Sequence, residues 1–263
     1  PEEELTQDHK DLAATLQHQY EFLLFRLIDR LYAVRSTHNL CLSGGCAYNG
    51  TANGKILEKT SYNNLWIPPA PSDAGSSIGA VINYYVNKGI NVTIPNTPFL
   101  GPSYNINSKS KKRLGDRKTM YLSDKNLYRI VAKQIKKGKV VGWFRNEIEF
   151  GARALGNRSI IADPTNPKMK DRINKMVKKR EGFRPFAPSI LEDDVNKFFE
   201  CDIRSEFMNH IVKFKKEWCD VFPSVCHVDD TARLQTVNKD NNPLFYQLIS
   251  ELKKITGYGI ILN

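Results

Sequence analysis

The sequence runs to 263 residues with a formal net charge of +11; 41% of it is hydrophobic and 25% charged. That balance excludes a disordered chain and leaves room for one large domain or two modest ones. The positive charge favours anionic partners, whether phosphorylated metabolites, acidic surfaces or nucleic acid, without choosing among them.

No apolar run approaches the ~20 residues of a membrane span. A secretory leader is not expected. The five cysteines, Cys41, Cys46, Cys201, Cys219 and Cys226, form no CxxC pair, and no histidine stands at zinc-finger spacing. Neither a disulfide framework nor a structural zinc site is expected, and a reducing cytoplasm is the expected setting. The chain starts PEEEL without methionine and stops at GYGIILN, in or just past a strand. It is expected to be a piece of a larger protein.

Taken in chain order, Thr6–Val34 predicts one long helix, because Leu12, Leu16, Tyr20, Leu23, Leu27 and Leu31 recur at helical spacing. NLCLS (Asn39–Ser43) reads as a short buried strand. Gly44 and Gly45 make a tight turn, and a second helix follows, weakened by Gly50 and Gly54. LWIPPAP is a strand running into a proline-stiffened loop, and Ser72–Gly89 is a helix with Ser72 as its N-cap. This alternation predicts an α/β layer.

Asn91–Lys118 is proline-rich and ends in the basic run SKSKKRLGDRK, which reads as a solvated surface connector. A second unit begins near Tyr121. It predicts a helix capped by Ser123, strands at VVGWF and RSIIADP, and a basic helix over NPKMKDRINKMVKKRE. FRPFAPSIL is extended, since its prolines exclude helix. TARLQTV alternates like a strand, NPLFYQLISELKKITG is a helix closed by Gly257, and YGIIL is a last strand. There is no internal repeat and no low-complexity tract.

Arginines carry the strongest chemical signal. Arg153 and Arg158 flank ALGN, Arg180 and Arg184 bracket EGF, and Arg233 opens a strand just after His227. Arginine grips phosphate or carboxylate through two parallel hydrogen bonds, and several arginines among glycines and prolines predict a pocket for a small dianion. The alternative is local ion pairing to Glu147, Glu149, Asp163 or Glu181. In LSGGCAYN, Gly44 and Gly45 let a backbone approach a phosphate, or merely turn the chain. Asn49 either contacts a nucleotide or caps a helix. Asp73 either ligates a divalent metal or starts a helix favourably with the dipole. His9 and His18 read as solvated on the first helix, His38 precedes a strand, and His210 stands among charged residues. Trp66, Trp143 and Trp218 read as core.

EFGARALGNRSIIADP, KKREGFRPFAPSILEDD and HVDDTARLQTV resemble the carboxy-terminal part of the O-carbamoyltransferases, which decorate nodulation factors, cephamycin-type β-lactams and aminoglycosides. LCLSGGCAYNGTANGKI and WIPPAPSDAGSSIGA resemble the preceding region of the same family, in the same order. The resemblance implies an α/β fold in two parts. Residues 1–100 would be the second half of an actin-like, sugar-kinase-like ATPase domain, 101–120 a connector, and 121–263 a YrdC-like domain cut short at its end. It implies formation of carbamoyl-adenylate from carbamoyl phosphate and ATP, then transfer to a hydroxyl of a small-molecule or saccharide acceptor.

On that resemblance Arg153, Arg184 and Arg233 fall on the carbamoyl-phosphate arginines, with Arg158, Arg180, His227 and Asn263 expected beside them at the substrate phosphate. Gly44, Gly45 and Asn49 fall on the nucleotide loop. Asp73 falls on a metal-ligand aspartate for an iron-type divalent ion or Mg2+. The chain departs from the family at Ala152, where proline is usual, and at SDAG, where GDAG is usual. The family's two metal-binding histidines and its NTSFN continuation, with a further phosphate-site arginine, have no counterpart here. A basic nucleic-acid module is the competing reading, resting on the charge and on KSKKR and KMVKKRE, but the lysines lack interleaved aromatic residues. A tRNA threonylcarbamoyl-transfer enzyme is a third. Oligomeric state is open, with a homodimer one expectation.

Overall fold

The computed structural model describes residues 4–93, 96–104 and 118–263. Helix α1 (Gln7–Val34) starts at Thr6, whose hydroxyl accepts from the His9 backbone N–H while His9 Nδ1 accepts from the Thr6 N–H at 3.1 Å. Its buried side is not the expected leucine stripe. Ile28, with Leu24, Phe25 and Tyr32 partly buried around it, packs against Leu40, Ile56 and Tyr62. Leu12, Leu16, Leu23, Leu27 and Leu31 are exposed. Helical spacing identified the element, but the partners lie against another of its faces.

Strands β1 (Asn39–Cys41) and β2 (Asn64–Trp66) pair in parallel, joined through α2 (Gly50–Lys59). Their carboxyl ends lead into the Gly44 turn and into α3 (Asp73–Asn87). Gly44 has φ +95°, open to glycine at no steric cost, and its N–H donates to the Pro71 carbonyl at 2.7 Å. Ser72 precedes α3 without a side-chain cap bond, and no residue of α3 is buried.

The connector expectation falls partly outside the described residues, as does all of the basic run except Lys118. Where it is described, the segment runs beside residues 148–150: Phe150 N–H donates to Pro98 O at 2.6 Å and Gly101 N–H to Ile148 O at 2.9 Å.

Helix α4 (Asp124–Lys136) follows, then β3 (Val141–Phe144) and β4 (Arg158–Ile161), which pair antiparallel. The predicted basic helix divides. Helix α5 (Met169–Ile173) widens into a π turn over Asn174–Lys178 that ends at Lys179 with φ 47°. Next come β5 (Pro188–Leu191), α6 (Val195–Phe198), β6 (His210–Lys213), α7 (Lys216–Cys219), β7 (Thr231–Val237), α8 (Pro243–Thr256) and β8 (Ile260–Leu262). Sheet order is β6-β7-β5-β8, with β5 and β7 parallel and the outer pairs antiparallel. A bridge between Ala162 and Leu262 attaches the β3–β4 hairpin to β8.

Layers cover both faces of this sheet. On one, α4 and α8 bring Tyr128, Ala132, Ile135, Phe245, Leu248 and Leu252 together with Ile261. On the other, Phe198, Phe214, Phe222, Met169 and Ile173 pack against Ile190 and Leu234. Strand alternation assigns the residues: Ala232 and Leu234 enter one core, while Arg233 and Gln235 face the opposite way. Trp143 is core as expected, whereas Trp66 is 43% exposed. His210 stands among charged residues in the sequence but is buried, because it lies on β6, a strand not among those expected.

The two halves meet where α2 lies on β6. A Cβ on Gly54 would collide with the Ile211 carbonyl oxygen, and one on Gly50 would sit 3.1 Å from Ile211 Cγ1. Between them, Asn53 Nδ2 donates to Ala47 O at 2.8 Å and to Asn209 O at 2.9 Å.

Candidate active site: two arginines without a carboxylate partner

The site is built on the loop between β3 and β4. Glu149 is buried, and its Oε1 accepts from the backbone N–H groups of Leu155 at 2.5 Å, Asn157 at 2.9 Å and Arg158 at 3.3 Å. Gly156 makes the turn at φ +112°, where a Cβ would strike the Phe245 ring. From the sheet side, Gln235 Nε2 donates to Leu155 O at 2.7 Å and Asn263 Nδ2 reaches Ala154 O at 3.3 Å. Asn263 Nδ2 also lies 3.0 Å from both Gln235 Oε1 and Ser189 Oγ. The backbone on the carboxyl side of Arg153 is thus held by a carboxylate on one flank and an amide network on the other.

Arg153 projects from this loop with its guanidinium 5.3 Å from the centroid of the Tyr48 ring. Arg233 stands on the strand face it shares with Gln235. Burial, and then the charge of Arg153, lowers the Arg233 guanidinium to about 10. Burial lowers Arg153 as well. Both Nε atoms are buried without a hydrogen-bond partner, and among the described residues neither guanidinium has a carboxylate within 4.0 Å. His227 joins them: its Nδ1 lies 3.1 Å from Thr231 Oγ1 and its Nε2 is buried and unpartnered. Burial lowers its pKa, the charges of Arg233 and Lys170 add to this, and Asp229 opposes it. Two like charges that feel one another in a partly desolvated place, with no counter-ion among the described residues, make a receptor for an anion.

The other predicted residues lie elsewhere or do other work. Arg184 was expected to complete a trio, but its Nε pairs with Glu181 at 2.8 Å and its side chain is half-exposed. Asn174 Nδ2 fixes that bend by donating to Arg184 O at 2.8 Å. Arg180 donates to Asn174 Oδ1 at 2.7 Å, stacks 4.8 Å over Phe186, and feels the charge of Arg184 after its own burial. Arg158 pairs with Glu149 at 3.3 Å and donates to Gly151 O. Local ion pairing therefore holds for Arg158 and Arg184 and fails for Arg153 and Arg233. Asn263 acts through the loop backbone.

Asn49 caps α2: its Oδ1 accepts from Ala52 N–H at 3.1 Å and its Nδ2 donates to Gln17 at 2.9 Å. Gly44 and Gly45 are exposed beside open space, which leaves room for a nucleotide to approach their backbone. Asp73 is exposed at the first turn of α3, and no group of three metal-ligating side chains among the described residues includes it. One carboxylate does not by itself make a divalent site. Tyr48, Lys170 and Gln235 were not foreseen, because their neighbours come from distant parts of the chain. Glu149 was foreseen only as a salt-bridge partner.

No described helix is long and apolar enough to cross a membrane. Residues 2–82 match the family model described as carbamoyltransferase N-terminus, and residues 132–263 the one described as carbamoyltransferase C-terminus. The nodulation protein NolNO of Sinorhizobium fredii is 40% identical over 98% of this chain and 39% of its own length. NolO of Bradyrhizobium diazoefficiens is 38% identical over 98% of this chain and 48% of its own. Nodulation protein U of Rhizobium tropici is 31% identical, with 97% and 43% covered. The chain spans half or less of these relatives' length. With both models matched in order and the unpaired arginines inside the second, the chain belongs to the carbamoyltransferase family.

Proposed function

We propose that Arg153 and Arg233 bind the phosphate of carbamoyl phosphate, and that this chain contributes the carbamoyl-adenylate-forming site of an ATP-dependent O-carbamoyltransferase. The observation that carries this is the pair of partly buried arginines whose Nε atoms are buried without a hydrogen-bond partner and which have no carboxylate partner among the described residues. Water cleaves the phosphate from carbamoyl phosphate, and the released carbamate attacks the α-phosphorus of ATP. Pyrophosphate leaves, and carbamoyl-adenylate then gives its carbamoyl group to an acceptor hydroxyl. Arg153 and Arg233 neutralise the phosphate charge as it shifts between oxygens, where partial burial weakens screening by water. His227 is held neutral near pH 7 and offers Nε2 for one further hydrogen bond.

Under this reading residues 121–263 are the YrdC-like adenylating part, and 1–100 are part of an actin-like transfer domain, joined through 101–120. Supporting the second assignment, the Gly44 turn and the start of α3 lie together at the carboxyl ends of two parallel strands, where open α/β layers bind ligands. Gly44 and Gly45 would face the nucleotide there, and Asp73 would need further ligands from outside the described residues.

The test is carbamoyl-phosphate-dependent pyrophosphate release by the whole protein. Arg153→Ala and Arg233→Ala are expected to abolish it. Arg184→Ala, whose partner is Glu181, is expected to cost less. Asp73→Ala should spare pyrophosphate release and lose transfer. Equal loss in Asp73→Ala and Arg233→Ala would contradict the division into two sites.

A further inference from the structure

A second cluster of reactive side chains flanks His227 in the chain. Cys219 ends α7, and the chain folds back through Phe222, whose carbonyl accepts from Cys226 N–H at 3.0 Å. This brings the Cys226 and Cys219 sulfurs to 2.8 Å. Asp230 closes the group: one oxygen of its carboxylate and both sulfurs all lie within 4.8 Å of one another. Its backbone is left-handed at φ 59°, a conformation Asp tolerates better than most residues. The Asp230 carbonyl accepts from Phe214 N–H at 2.9 Å and its N–H donates to His227 O at 3.2 Å, so the carboxylate is aimed by a fixed turn.

We propose that Cys219, Cys226 and Asp230 form a binding site for a borderline-soft divalent cation of the Zn2+ class. Two sulfurs and a carboxylate suit that class better than Mg2+ or Ca2+, which prefer oxygen alone. Tetrahedral Zn2+ with Zn–S bonds of about 2.3 Å sets two sulfurs roughly 3.8 Å apart. The sulfurs must therefore separate by about 1 Å, which side-chain rotation at two partly exposed cysteines allows. A disulfide is the rival outcome for two close thiols. It gives the carboxylate no role, and a negative charge beside the pair opposes the thiolate that exchange requires. A cation uses all three groups as anionic ligands, releases the two thiol protons, and leaves a fourth position for water. Cys-x6-Cys-x3-Asp is not a familiar zinc spacing, and only the fold-back turn unites it. His227 follows Cys226, and Arg233 stands three residues after Asp230, so the cation would clamp α7 to the turn that leads into the anion pocket.

The site can be tested without reference to carbamoyl chemistry. The exposed thiols are first removed as Cys41→Ser and Cys46→Ser, and the reduced, metal-stripped chain is titrated with Zn2+ against a chromophoric chelator. One Zn2+ per chain is expected. Co2+ should give the absorption of a tetrahedral site with thiolate charge-transfer bands. Cys226→Ser should lose both signals. Asp230→Asn, which keeps the turn at an exposed position, should bind more weakly, and this guards against a folding defect in the cysteine variant. Zn2+ and Co2+ binding unchanged in both variants would overturn the proposal. So would peptide mapping that finds a Cys219–Cys226 disulfide in a glutathione buffer poised to keep cytosolic thiols reduced.

Discussion

Arg233 has a folded-state cost that explains its role. Its guanidinium is lowered from its ordinary range to about 10 by burial and by Arg153. A base with a depressed folded pKa destabilises the fold at every pH below that value, and the penalty disappears as pH rises above it. Arg233→Met should therefore raise stability by about 1–3 kcal/mol in urea unfolding at pH 7. The same variant should lose any rise in Tm given by carbamoyl phosphate or inorganic phosphate. A less stable Arg233→Met would show that a counter-ion had been missed. His210 makes a second case. Burial lowers it to about 4, with only Ser205 Oγ near its Nδ1 at 3.2 Å. The unfolded chain takes up this proton near pH 6.5, so stability is constant above that and falls as pH drops toward 4. Wild type should lose about 3 kcal/mol more than His210→Gln between pH 7.5 and pH 4. Equal losses would mean that His210 stays accessible to protons.

Among the elements, the two glycines that weakened α2 in the sequence are what seat it. Glycine costs helix stability in isolation, but Gly50 and Gly54 let the helix lie on the backbone of β6. Gly54→Ala should therefore destabilise by about 1–3 kcal/mol, read as a lower urea midpoint at unchanged slope. Gly79, inside α3 with nothing within 4 Å of an added Cβ, should behave in the opposite way. Gly79→Ala should stabilise by about 0.5–1 kcal/mol. If both variants were stabilised, propensity rather than packing would be in control at Gly54. The β3–β4 loop shows the same dependence on context. Its glycines and arginines were legible, but not that Glu149 would gather three backbone N–H groups and leave Arg153 free of a carboxylate. An ion-pair partner is chosen by the fold of the loop, and sequence proximity offered Glu147 and Glu149 to Arg153 and Arg158 alike.

At the scale of the molecule, the charge of +11 is read best through its distribution. The pocket cations are few and inward-facing, whereas most lysines are solvated. Duplex DNA should therefore bind weakly and without sequence preference, and affinity should fall steeply with added salt as counterions are released. Tight, sequence-specific binding at physiological salt in a fluorescence assay would promote the nucleic-acid reading. The exposed leucines of α1 and the exposed Val81, Tyr84 and Val86 of α3 are a second large-scale feature. Periodicity found these helices but not which face meets the rest of the chain.

By itself the sequence determined the α/β class, most strands and long helices, and the family through its extended motifs, because each rests on local propensity or on a contiguous run of residues. The tertiary structure decided which arginines are free. Arg153, Arg233, His227 and Tyr48 become neighbours only when β7 joins the central sheet and α2 settles on β6, and Arg184 is withdrawn by a partner three residues away. Whether a charge is paired depends on desolvation and on distances between remote segments, and neither is a property of any stretch of sequence.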